Sequence, residues 1–220
     1  MWRIAMLVAK KDLRIELRSR VLLWQVMPFG VIGLVLTGLA VGPRSSATRA
    51  AAPGLFFLVI LLVALLMIGR SHSIESRSGT RTSIKMLGLD PAGVFLGKAL
   101  ALFATLCAAS LILLTGVVLL LHAPFGGTLR ALAPIALALG SIAAGGTLYG
   151  VLAGDAEGQA TLLPVVALPP LAGILVAGEK AFAACITGAG VTRWVLFLIA
   201  ALVAYLAIGV LLYGVAEESA

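Results

Sequence analysis

The residues able to do chemistry in this chain are few and scattered, and their spacing argues against a catalytic set. The closest approach to a phosphate-binding loop is Gly93-Val-Phe-Leu-Gly97-Lys98-Ala99. It is one residue short between its glycines, it has alanine where a hydroxyl would hold magnesium, and it leads straight into an apolar run. His72 sits in a polar stretch and His122 at the end of an apolar run, so each is a lone histidine, structural by default although able to ligate iron. Cys107 and Cys185 lie in or beside apolar segments, with no CxxC, CxxCH or Cys/His spacing that would bind metal or attach haem. Paired aspartates, a Ser/His couple and HExxH are all missing from the apolar runs, so an intramembrane protease has no support. The expectation is a chain that is not an enzyme and has no metal site or firmly bound cofactor of its own.

The most informative polar stretch runs from Arg70 to Lys98, RSHSIESRSGTRTSIKMLGLDPAGVFLGK, between two apolar runs. It carries Arg70, Arg77, Arg81, Lys85 and Lys98 against Glu75 and Asp90. Ile74, Ile84, Leu87 and Leu89 are spaced for a short amphipathic helix lying on a surface. Arg77, Arg81 and Lys85 follow one another at i+4, a basic stripe suited to an acidic face, while Ile84 and Leu87 share a side at i, i+3. Glu75, Arg77, Arg81, Ile84, Lys85 and Leu87 are therefore the expected docking residues for a motor subunit that this chain does not contain.

The elements that position this loop read as membrane. Of the 220 residues, 61% are hydrophobic and 11% charged, against about 45–50% and about 25% in soluble domains. Apolar runs of about 20 residues recur, each long enough to cross a hydrocarbon core of roughly 30 Å. The expected architecture is all-α and integral to the membrane, one permease domain over 1–220. Residues 1–20 form an amphipathic interfacial helix, with Trp2, Met6, Leu13 and Leu17 on one side and Lys10, Lys11, Arg14 and Arg18 on the other. Six spans follow, at about 21–41, 50–69, 99–121, 131–153, 161–177 and 193–214. A cytoplasmic coupling loop, 70–98, with its helix near 73–89, joins the second to the third. Gly146, Gly150 and Gly154 at i, i+4, i+8 make a helix-packing face, its partner in the same chain or in another. Pro164, Pro169 and Pro170 are expected to break the fifth span, and 178–190 to be a re-entrant or interfacial piece too short to cross.

Charge sets the orientation. With the N-terminus inside, Arg3, Lys10, Lys11, Arg14, Arg18, Arg20, Arg70, Arg77, Arg81, Lys85 and Lys98 are cytoplasmic, while Arg44, Arg49, Arg130, Lys180 and Arg193 are outside. This asymmetry places both termini in the cytoplasm. The formal charge of +7 follows from that pattern and does not indicate nucleic acid, since the basic residues cluster at the ends of apolar runs. Near-absence of charge inside the spans disfavours an ion-driven carrier.

Four stretches then carry a resemblance: KKDLRIELRSR, APGLFFLVILLVALL, SGTRTSIKMLGLDPAGVFLGKAL and LLPVVALPPLAGILVAGEKA. The layout resembles ABC-2-type permeases, and the sequence is most similar to the CcmB family, the heme exporter protein B of cytochrome c maturation. That resemblance implies an ABC-2-type exporter fold in the bacterial cytoplasmic (inner) membrane and a homodimeric permease working with a CcmA-like ATPase. CcmC-like and CcmD-like membrane subunits would be neighbours, and a CcmE-like periplasmic haem chaperone would receive or release haem. ATP would be used through the partner, and haem would be a substrate of the complex. Two other readings stay open on the sequence: an ABC-2 permease for another hydrophobic or lipid-like substrate, and a non-transporting membrane scaffold for the ATPase.

Overall fold

The computed structural model describes residues 1–19, 24, 26–41, 45–78, 90–152 and 159–219. Among them the regular elements are helices: α1 (Trp2–Ser19), α2 (Met27–Val41), α3 (Ser45–Ser78), α4 (Pro91–Leu120), α5 (Phe125–Arg130), α6 (Leu132–Leu152), α7 (Gln159–Thr187) and α8 (Thr192–Ser219). In hydrocarbon no water is available for free backbone groups, so long apolar runs pair their N–H and C=O groups internally and form helices. Five stretches are long and apolar enough to cross: Ser46–Arg70, Pro91–Leu120, Leu132–Val151, Ala167–Thr187 and Thr192–Tyr213. The expected first span, 21–41, is represented by the apolar 15-residue α2; residues 20–23 and 25 lie outside the described residues.

The core lies between α3, α4, α6 and α7. Phe56 packs edge-on against both Phe57 and Phe182, at centroid distances of 5.2 and 5.7 Å, amid buried Ile60, Leu106, Leu113, Ile142 and Leu171. Of the five candidate spans α6 is the most buried and α8 the least. Hydroxyls inside the bundle return to backbone carbonyls: Thr105 Oγ1 donates to Ala101 O (3.1 Å) and Thr147 Oγ1 to Ala143 O (2.8 Å). Ser141 Oγ lies 3.0 Å from Leu137 O and 3.3 Å from Leu198 O on α8, so a polar group is satisfied at a helix contact instead of facing lipid.

Two expectations about the chain's punctuation are overturned. The fifth span is not broken: α7 is one helix of 29 residues that contains Pro164, Pro169 and Pro170. A proline costs a soluble helix about 3 kcal/mol, but leaving the helix within a membrane would free several more backbone groups, each costing several kcal/mol in lipid. Continuing the helix is the cheaper outcome. The Tyr205 hydroxyl of α8 donates to Pro170 O at 3.3 Å, adding a cross-helix bond at the Pro-Pro turn. Residues 178–187 are likewise not a re-entrant piece but the last three turns of α7. Gly178 lies under the Phe57 ring, where a Cβ would meet Cζ at 2.5 Å, and Phe182 is fully buried against α3.

The polar interval is also helical at both ends. α3 continues through Arg70 to Ser78, and residues 91–98 are the opening turns of α4. The coupling helix expected near 73–89 is therefore the end of α3 up to Ser78; residues 79–89 lie outside the described residues.

Candidate functional site: the α1 end of the bundle

The site begins with Asp90. It is the N-cap of α4, its Oδ1 accepting from Ala92 N at 3.2 Å, with Pro91 in the first helical turn. An Asp cap followed by Pro is a strong local start signal, because the cap satisfies an orphan amide and proline lacks one. Asp90 Oδ2 also lies 3.5 Å from the amine of Met1, so the start of α4 and the start of α1 meet there.

From this point α1 crosses α4 at very short range. A Cβ on Gly93 would lie 3.0 Å from Met1 O, and one on Gly97 would lie 2.6 Å from Ala5 O and 2.7 Å from Val8 Cβ. Only hydrogen at these positions lets the two backbones approach so closely. The side of α1 that packs is thus Ile4, Ala5, Val8 and Ala9, while Trp2, Met6, Leu7 and Leu17 stay exposed. The stretch that resembled a defective phosphate loop is a helix-crossing surface. Its signal was the i, i+4 glycine spacing, hidden by its position next to a polar segment.

Lys98, expected in the loop, is buried in α4 with Nζ 5.8 Å from the centroid of the Tyr213 ring. Phe95 stacks obliquely on Tyr213 at 5.4 Å and fills the space a side chain on Gly209 would need. Val94, Phe95, Ala144, Leu148, Val151 and Tyr213 make a second apolar cluster here. The start of α4 is therefore clamped between α1 on one side and the ends of α6 and α8 on the other.

Of the expected docking residues, Glu75 and Arg77 lie on the last turns of α3. Arg81, Ile84, Lys85 and Leu87 lie outside the described residues. In the expected packing face, Gly146 meets α3 of the same chain, since a Cβ there would overlap Ile68 Cδ1; Gly150 is buried, and Gly154 lies outside the described residues. His122 is exposed with φ 54°, and its carbonyl accepts from Arg49 Nε at 3.1 Å at the opposite end of the bundle. Among the described residues no cluster of three or more His, Cys, Asp or Glu could hold a metal ion.

One expectation about charge needs correction. Glu179 and Lys180 fall within the candidate span Ala167–Thr187, two turns from the end of α7, so the spans are not free of charge. The signal was present in LVAGEKAFAACI, a charged pair with apolar residues on both sides, and was lost by assigning it to an interfacial piece.

The profile of the CcmB protein family matches residues 3–217, nearly the whole chain. The chain belongs to the CcmB family. A comparison with curated proteins returns no match. This CcmB-family chain is a multi-pass membrane subunit of the haem exporter system of cytochrome c maturation. In CcmB terms, the clamped start of α4 and the end of α3 flank the basic segment that distinguishes the sequence.

Proposed function

We propose that this CcmB-family subunit is the permease half of an ATP-driven haem-handling complex in the bacterial inner membrane, and that a separate CcmA-like ATPase docks on the segment joining α3 to α4. The observation that carries this reading is helix length. α3 has 34 residues and α4 has 30, roughly 51 and 45 Å at 1.5 Å per residue, against a hydrocarbon core of about 30 Å. α3 runs on from the end of its candidate span at Arg70 to Ser78, which supports a position for the docking segment on the cytoplasmic side.

On this reading both termini and the α3–α4 segment are cytoplasmic, and Arg77, Arg81 and Lys85 face acidic residues of the ATPase while Ile84 and Leu87 enter an apolar cleft. The subunit itself supplies no nucleotide site. Closure of two ATPase copies would push on the end of α3 and on the start of α4. Because α4 is clamped to α1 and α8, the push would move these helices together as a rigid body. Two copies of the subunit form the permease, with CcmC-like and CcmD-like subunits beside it and a CcmE-like chaperone on the periplasmic face.

The test is co-purification of the ATPase at equal membrane levels of each variant. Arg77→Glu with Arg81→Glu is expected to reduce ATPase recovery at least tenfold. Ile84→Asp is expected to cost more than any single basic change, since it buries an unpaired carboxylate. Cysteines placed at Ala47 and Ser76 should label from opposite sides of the membrane in every variant. Full ATPase recovery with the charge-reversed segment, or both cysteines labelling from outside, overturns the assignment.

A further inference from the structure

A groove of about 550 Å³ runs along the bundle between α4, α6 and α8, with Trp2 and Ala5 of α1 at one end. Its α6 wall is Ala133, Ala136, Gly140 and Ala144, small residues that share one helix face and leave the space unfilled. Apart from the Trp2 indole N–H, no lining side chain carries a polar atom. The volume falls within the range of about 300–1,000 Å³ typical of small-molecule sites. Shape decides what fits. From Ala133 to Ala144 the groove follows about 16 Å of helix rise. It is pinched at Gly140, where a Cβ would lie 3.3 Å from Leu202 Cδ1 and 3.8 Å from Phe103 Cε2, so those two atoms are at most about 7 Å apart. A helix with its side chains is about 10–12 Å across and is too wide for that floor. A haem would find no axial ligand among the lining residues. A single extended hydrocarbon chain needs only apolar contact on both sides, and the groove supplies it.

The rim adds charge. Trp2 is 69% exposed, and an exposed tryptophan at the end of a membrane bundle marks the level of the lipid headgroups. Arg3 follows it, about 100° round the helix, and is also exposed. Its side chain is long enough to bring the guanidinium back to the rim, and the first turn of α1 holds no acidic residue. The Met1 amine is taken up by Asp90, 3.5 Å away. The Arg3 guanidinium is the group placed to meet a phosphate, which it matches with two parallel N–H donors. We infer that this groove binds an anionic phospholipid of the leaflet on the α1 side, with one acyl chain between α4, α6 and α8 and the phosphate at Arg3. A lipid held there touches four helices at once and adds to the clamp that keeps α1 on the start of α4. It binds the folded bundle and not the unfolded chain, so it stabilises the fold according to its occupancy. Nothing in this depends on the ATPase docking scheme or on which face is cytoplasmic.

The test uses the full-length chain purified in a mild detergent. Retained lipid is counted by native mass spectrometry, and the unfolding midpoint is followed as phosphatidylglycerol or phosphatidylcholine with the same acyl chains is added. One phosphatidylglycerol per chain is expected, held about tenfold more tightly than phosphatidylcholine, as a hydrogen-bonded charge pair allows. Arg3→Gln is expected to abolish that preference without changing the lipid-free midpoint. Lys10→Gln, the same loss of charge on an exposed residue further along α1, is expected to keep it. Ala136→Phe fills the groove from the α6 wall and is expected to remove the retained lipid of either kind. Equal retention of the two lipids by the wild type, or an equal loss in Arg3→Gln and Lys10→Gln, reduces the effect to attraction between a basic helix and an anionic surface and overturns the inference. Unchanged retention in a folded Ala136→Phe chain places the lipid elsewhere and overturns it too; where that variant does not fold, the Arg3 and Lys10 variants decide. The same count is made on the chain co-purified with its partner subunits. A lipid retained by the isolated chain but missing from the complex gives the groove to a protein neighbour and overturns the assignment, while one retained in both supports it.

Discussion

At the α1–α4 crossing a Cβ on Gly97 would meet Ala5 O at 2.6 Å, whereas at the α3–α7 contact a Cβ on Gly54 would meet only Glu179 Cγ at 3.9 Å. The residue type is the same and the consequence is opposite. Gly97 lets two backbones touch, so the crossing is closed and Ala5 and Val8 are buried. Gly54 withholds a side chain from a place where, among the described residues, only Glu179 Cγ comes within 4 Å, so a notch remains beside a charged pair. Small residues at a membrane helix contact therefore do not by themselves say what they contact. The closed crossing is complete within one chain, while the open one leaves a gap beside Glu179.

The largest expected effect breaks the closed member of the comparison. Gly97→Leu drives a branched side chain into the α1 backbone, and the expected result is loss of folded protein from the membrane. Gly97→Ala is milder, an overpacking of about 1–3 kcal/mol, read as a lowered unfolding midpoint in detergent. Wild-type stability in Gly97→Ala would mean that α1 does not sit on α4 as described.

A smaller effect is expected at the open member. Gly54→Leu fills the notch without meeting backbone, so the fold should hold and the unfolding midpoint in detergent should move by less than in Gly97→Ala. Loss of fold in this variant would mean that the notch is already filled from within the chain.

The smallest effect serves as a reference for both. A Cβ on Gly126, in α5, would find nothing within 4 Å. Gly126→Ala should leave assembly unchanged and at most add about 0.5–1 kcal/mol of helix stability. A marked defect there would show that glycine substitutions in this chain act by some route other than the contacts described.

The sequence by itself determined that the chain is membrane-embedded and helical, roughly where its apolar runs lie, and which segment is conspicuously basic. These are local properties, since every backbone group in hydrocarbon must be paired within its own segment and a run of apolar residues has no other way to do it. It also carried the family, through four stretches spread along the chain. Only the tertiary structure showed that α7 continues through Pro164, Pro169 and Pro170, with the Tyr205 hydroxyl of α8 bonded to Pro170 O and Phe57 of α3 packed on Gly178 further along the same helix. It also decided that Gly93 and Gly97 serve a crossing, that Lys98 is buried against Tyr213, and that Glu179 faces a notch. Spacing records which residues share a helix face. What stands opposite that face is set by residues tens of positions away, and so is whether the gap between them is closed.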